Sequence, residues 1–241
     1  MAPMIFTSTL LEKMARGTGT ASFRFSRPQE YSFQAGQFFL ITIPSPDGPL
    51  THQFSHSDSP TEGHIELTTR LTGSPFKNAL DALPAGVEVE VEGPFGVFLF
   101  KYAEPRIAFL TGGIGITPIR SMLRYLADTG GTGRIEGQEL VLFYGSMTED
   151  GIVYREELDE YVGKIQGLRV IPVIANPTET WTGHGGFITA DILSAELSDP
   201  LSYTYYIVGP PPMVAAMQKI MEALAVPAGQ IMIEGFAGYV T

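Results

Sequence analysis

Two patterns of hydrophobic and polar positions divide the chain. Through residue 102 the apolar positions come in short clusters or in alternation. "VEVEVEG" alternates Val with Glu, which gives a strand one face in a core and one in water. "SFRFS", "QFFLITI", "GHIELTTRL" and "GVFLF" are equally short, rich in Phe, Val, Ile and Thr, and bounded by Gly and Pro. They predict a small antiparallel barrel or sandwich over residues 1–102. One helix interrupts it, "GSPFKNALDALPAG", with Ser74 to cap it, Pro75 at its first position, and Pro84 and Gly86 to end it.

From Arg106 the period changes. "RIAFLTGG" reads as a buried strand ending in glycines, and "TPIRSMLRYLAD" follows with Ile119, Met122, Leu123 and Leu126 at helical spacing behind a Thr117 cap and Pro118. The strands "ELVLFYGS", "LRVIPVIA", "YTYYIVG" and "QIMIEGF" then alternate with the helices "VYREELDEYVGKI", "TADILSAEL" and "MVAAMQKIMEALA". This alternation predicts a mostly parallel sheet with helices on both faces over residues 106–241, joined to the first half by "KYAEPR".

Composition narrows the chemistry. The 241 residues are 44% hydrophobic and 17% charged, which suits a folded core. With 15 basic and 26 acidic residues the formal charge is −11, so no general attraction to nucleic acid or anionic lipid is expected. The apolar runs are too short to span a bilayer, and Glu12 interrupts the N-terminal stretch where a signal core would continue. A cytoplasmic location is the resulting expectation. The chain has no cysteine, which excludes disulfides, thiolate nucleophiles, zinc–thiolate sites and cysteine-ligated iron–sulfur clusters on these residues.

Three turns place backbone N–H groups or rigid walls at helix starts. "TGGIGITP" has glycines for a tight turn and a close ligand approach, but Pro118 stands where a dinucleotide fingerprint has its third glycine. A nucleotide loop and an ordinary strand–helix turn both fit it. "VGPPPM" removes N–H donors and stiffens the backbone, as a wall against a ring or as a plain connector. "GSPFK" offers Ser74 and Lys77 to an anion, or simply a cap. In "THQFSHSDSP", His52 and His56 lie about 13 Å apart if extended, too far to share an ion, so no metal is expected. Alternation puts His52, Phe54 and His56 on one face, an arrangement suited to a planar heterocycle.

In chain order, "HQFS", "GSPFK", "EGPFG", "TGGIGITP", "FYGS", "VGPPPM" and "EGFAGY" resemble the ferredoxin–NADP reductase family, from about residue 20 to the end. The resemblance implies an N-terminal antiparallel β-barrel flavin domain followed by a C-terminal Rossmann-like parallel-sheet NAD(P) domain. It implies hydride transfer from NADH or NADPH to bound FAD, rather than FMN, and electron release to a separate acceptor, either a protein or a small molecule.

Carried over by position, the resemblance assigns His52, Gln53, Phe54 and Ser55 to the flavin strand, where His52 replaces the family's arginine. Gly73, Ser74 and Lys77 match its pyrophosphate site. Gly112, Gly113, Gly115, Thr117 and Pro118 match the nicotinamide dinucleotide loop, and Gly209, Pro210, Pro211 and Met213 match the element beside the nicotinamide, with Val208 in place of a cysteine. Glu234, Phe236 and Tyr239 match the tail over the flavin. Ser55 and Glu234 are the candidates for tuning the flavin. Ser146 and Arg155 fit a 2′-phosphate, whereas Glu149 and Asp150 repel one, and the balance leans to NADH. A basic face around Arg24, Arg27 and Arg70 is a candidate for an acidic acceptor. Two other readings stand beside the reductase: an electron-transfer subunit active only in a larger complex, and a non-catalytic nucleotide-binding or sensor module.

Overall fold

Alternation in the first hundred residues resolves into an aromatic core in which Phe23, Phe25, Phe39, Ile41, Leu67 and Val91 are fully buried. A computed structural model describes residues 2–235. These fall into two compact units: the residues up to 100 with 117–128, and residues 101–116 with those from 129 onward.

The first unit holds strands β1 (Met4–Ala15), β2 (Thr20–Ser26), β3 (Phe38–Ile43), β4 (Leu50–Ser55) and β5 (His64–Arg70), helix α1 (Pro75–Ala82) and strand β6 (Glu88–Phe95). The sheet is antiparallel, in the order β4-β3-β6-β1-β2-β5, and curls as a half-barrel with β4 and β5 at its edges. The longest strand, β1, is absent from the sequence reading. A bulge between Leu10 and Glu12 shifts its register and breaks the alternation that would reveal it. "GVFLF" is not a strand. Gly96, at φ +93°, turns the chain after Phe95, and Phe98 and Phe100 are buried from loop positions. Helix α1 begins as the residues predict, with Ser74 Oγ accepting the Lys77 N–H and Pro75 in the first turn.

The second unit contains β7 (Arg106–Gly112), and helix α2 (Ile116–Asp128) follows it. Then come β8 (Glu139–Ser146), α3 (Arg155–Lys164), β9 (Leu168–Ile174), β10 (His184–Gly185), α4 (Ala190–Glu196), β11 (Thr204–Gly209), α5 (Pro211–Ala223) and β12 (Ile231–Gly235). The strands pair in parallel in the order β10-β9-β8-β7-β11-β12. Ala108, Leu110, Val141, Phe143 and Ile207 pack into one core with α4 and α5, and the alternate positions Ile107, Phe109, Leu140 and Leu142 are buried as well. Burial on both faces explains why these strands read as unbroken apolar runs.

Helix α2 differs from expectation in two ways. It starts at Ile116, out of a 3-10 turn over Gly113–Gly115, so Thr117 lies inside its first turn rather than capping it. Pro118 is tolerated there because first-turn N–H groups need no intrahelical partner. The helix also groups with the half-barrel. Its buried Arg120 and Ser121 donate to the carbonyl oxygens of Ser57 and Asp58 in the β4–β5 loop.

Candidate functional site

Each unit carries a candidate binding surface of its own. In the half-barrel, β4 presents His52 and Phe54, both half-buried, and ends at the buried Ser55. The His52 and Phe54 rings lie 5.0 Å apart, and Phe76 from the first turn of α1 approaches them at 5.3 and 5.6 Å. His52 Nδ1 donates to the Gln53 carbonyl oxygen at 2.9 Å, which leaves Nε2 as the other ring nitrogen. A half-buried aromatic wall thus stands at the start of a capped helix. Ser55 pairs with Phe38 of β3, and Phe38 in turn pairs with Phe95 of β6.

A cation stands at the same helix start. Lys77 is buried, with its ammonium 3.2 Å from Thr72 Oγ1. Burial and then the charge of Arg70 both push its pKa down. Gly73, at φ +79°, makes the turn that brings Thr72 and Ser74 together. Sequence reading missed Arg70 and Phe76 at this position; the signal available was the cation and aromatic flanking the glycine in "RLTGSPFK". Of Arg24, Arg27 and Arg70, the first two are engaged locally. Arg24 is paired with Glu66 at 2.8 Å and Glu12 at 3.4 Å, and Arg27 donates to the Pro60 carbonyl oxygen.

In the second unit, β7 has β8 on one side and β11 on the other, which makes the carboxyl ends of β7 and β11 a topological switch point. Gly112 and Gly209 end those strands. A Cβ on Gly115 would meet the Val208 carbonyl oxygen at 2.6 Å and Gly209 Cα at 2.7 Å, so only glycine fits. Thr111 Oγ1 donates to the Val208 carbonyl oxygen at 2.9 Å, and the Tyr144 hydroxyl donates to Gly113, also at 2.9 Å, tying the loop from both sides. Pro210 precedes α5 and Pro211 opens it, while Met213 reaches back over Gly112. Glu234 of β12 is half-buried and pairs with Val208.

At the end of β8, Ser146 Oγ donates to the Thr148 carbonyl oxygen at 2.8 Å and is engaged in its own turn. Arg155 is exposed at the start of α3. Glu149 accepts both the N–H and the hydroxyl of Thr178, at 3.0 and 2.5 Å, and these hydrogen bonds hold its carboxyl below the usual range. Phe236 and Tyr239 lie outside the described residues. Among the described residues no group of three or more His, Asp or Glu is placed to hold a metal ion. His56 is engaged instead with Tyr31 and Asp58. No helix among the described residues is long and apolar enough to cross a membrane.

The two units also match known domains. Residues 7–100 match the oxidoreductase FAD-binding domain and residues 109–219 the oxidoreductase NAD-binding domain. NADH-cytochrome b5 reductase 1 of Pyricularia oryzae is 31% identical over 231 residues, covering 89% of this chain and 73% of that protein. The glycine betaine monooxygenase reductase subunit of Pseudomonas aeruginosa is 27% identical over 209 residues, covering 84% of this chain, and the chain spans just over half, 56%, of that subunit. Among solved structures, the cytochrome b5 reductase domain of Ulva prolifera nitrate reductase superposes with a TM-score of 0.82 at 22% identity, covering 96% of this chain and 97% of that one. The aromatic wall beside the buried Lys77 fits FAD, and the glycine crevice at the switch point fits a nicotinamide dinucleotide. The chain belongs to the ferredoxin–NADP reductase family of oxidoreductases, with an FAD-binding domain followed by an NAD-binding domain.

Proposed function

We propose that the chain is an NAD(P)H-dependent flavoprotein reductase that moves electrons from the nicotinamide through bound FAD to a separate acceptor. The observation that carries this reading is the pairing, in one chain, of a cationic aromatic cradle on the half-barrel with a glycine crevice at the switch point. Bound FAD supplies the exchange between two-electron and one-electron chemistry. The protein's own part is to bind and orient. Phe54 and His52 would face the flavin ring, Ser55 would hydrogen-bond at its reactive edge, and Arg70 with Lys77 and the α1 N-terminus would hold the pyrophosphate. Arg70 would thereby replace the charge that His52 lacks. Gly112, Gly113, Gly115 and the Gly209–Met213 turn would receive the dinucleotide, and Glu234 beside Val208 would contribute polarity there.

NADH is the favoured co-substrate. Glu149, held by Thr178, and Asp150 would oppose a 2′-phosphate at the end of β8, and Arg155 would favour one. A cytoplasmic location goes with this reading. Since the 241 residues contain no cysteine, thiolate ligands for an iron–sulfur acceptor would have to come from elsewhere.

A second reading, as the reductase component of a multicomponent system, draws on the likeness to monooxygenase reductase components. Steady-state assays of the FAD-loaded chain with NADH separate the two. Turnover with a small one-electron acceptor alone supports the self-contained reductase. Turnover only on addition of a partner protein supports the component. No turnover with either, in a chain that holds FAD, overturns both.

A further inference from the structure

Five consecutive polar residues enter the interior after Phe54. Ser55, His56, Ser57, Asp58 and Ser59 are 7% exposed or less. A segment this deep needs hydrogen bonds for its polar groups, and here they run in fixed directions. Asp58 Oδ1 accepts the Glu66 backbone N–H at 2.8 Å and lies 2.9 Å from His56 Nδ1, so Nδ1 carries the proton and donates. At the opposite edge of the ring, Nε2 is hydrogen-bonded to the Tyr31 hydroxyl at 2.9 Å. The ring stacks on Phe33 at 3.6 Å and 9°, and abuts Phe39 at 4.6 Å.

The backbone is tied as well. The His56 N–H donates to the Gln37 carbonyl oxygen at 3.0 Å, and the Ser57 N–H to that of Glu66 at 2.9 Å. Arg120 of α2 donates to the Ser57 carbonyl oxygen and Ser121 to that of Asp58, each at 2.6 Å. An apolar side chain of similar volume would fill the place of His56 at a lower desolvation cost, because buried polar pairs add little stability over hydrophobic packing. Asp58 Oδ2 is buried without a partner among the described residues, which is a further cost. What a directional network adds is one unique arrangement. It adds it at the residue directly after Ser55.

We propose that His56 is a positioning residue for the reductase reaction: held between Tyr31 and Asp58, its ring fixes the end of β4 and so orients Ser55 toward the flavin. The inference rests on the flavin reading above. It does not place His56 against the cofactor.

His56→Leu keeps the volume and loses both hydrogen bonds, whereas His56→Asn keeps a donor near Nδ1 for Asp58. In the FAD-loaded chain, His56→Leu is expected to alter the visible circular dichroism of the flavin and shift its midpoint potential. Flavin reduction by NADH is expected to slow by about tenfold to a hundredfold, the range for a small misplacement at a reacting centre, with KM for NADH unchanged. His56→Asn is expected to recover most of the rate and the parent spectrum. If His56→Leu does not fold, Tyr31→Phe, which removes one hydroxyl, is expected to give a smaller shift in the same direction. A parent chain that takes up no FAD overturns the flavin reading and this inference with it. A parent that takes up FAD, while His56→Leu (or Tyr31→Phe in its place) leaves dichroism, potential and rate unchanged, overturns this inference alone.

Discussion

The sulfur of Met213 stands 2.6 Å from the point that a Cβ on Gly112 would occupy, whereas at Gly115 the same test meets backbone. A thioether on a flexible stem yields, and a carbonyl oxygen within a parallel sheet does not. Gly115→Ala is therefore expected to lower stability by about 1–3 kcal/mol, as overpacking does, and to weaken NADH binding. Gly112→Ala should cost less, and Met213→Ala should restore what it loses. Thermal unfolding of the variants side by side checks this; equal losses at the two glycines would contradict it.

Arg70 ends β5 and Lys77 lies in the first turn of α1, where burial and then the charge of Arg70 lower the pKa of Lys77. If the pair holds the FAD pyrophosphate, Arg70→Ala and Lys77→Met should each weaken FAD binding by about 1.5–3 kcal/mol, the range for hydrogen bonds to charged groups. His52→Arg should act in the opposite direction. Fluorescence titration of the flavin-free chain, repeated at rising salt, measures this.

Glu62 lies 2.7 Å from Arg120, with 10% and 1% of the two side chains exposed. Burial raises the carboxyl pKa, but the charge and hydrogen bonds of Arg120 outweigh it and leave the folded value below the ordinary one. Such a group takes up protons more readily when unfolded. Its contribution is full above the unfolded pKa, about 4.3, and is lost as pH falls through the lowered folded value. Glu62→Gln should cost about 3–5 kcal/mol at neutral pH, as for a broken buried pair. The two unfolding curves should converge in acid. A difference that persists well below the carboxylate range would show that the pair is not its source.

Glu149 accepts two hydrogen bonds from Thr178, across 29 residues of sequence. These bonds hold its carboxyl below the usual range, so the charge that opposes a 2′-phosphate persists into mild acid. Replacing Glu149 with Ser and Met147 with Arg should raise kcat/KM for NADPH relative to NADH by about tenfold or more, the worth of a new charge-assisted contact. An unchanged ratio would remove Glu149 from the account of specificity.

Glycines and prolines between apolar runs make the order of elements from Arg106 legible apart from the two-residue β10, and burial on both faces keeps β7 and β11 almost free of polar interruption. The capped start of α1 was equally readable, since Ser74 and Pro75 act locally. Strand β1 was not, because its bulge spoils the alternation. Nor was the grouping of α2 with the half-barrel, which depends on Arg120 and Ser121 finding carbonyl oxygens 63 residues away. Within the site, the aromatic and glycine motifs were visible as residue types. The burial of His56 and the hold of Thr178 on Glu149 arise only when distant strands and turns meet.

Binding of FAD and its reduction by NADH underlie every role proposed for these residues. Anaerobic stopped-flow mixing of the FAD-loaded chain with NADH tests both most directly. The expected result is rapid, saturable bleaching of the visible flavin band, slower with NADPH. A chain that holds FAD but shows no bleaching with either nucleotide, or one that takes up no flavin at all, would contradict it.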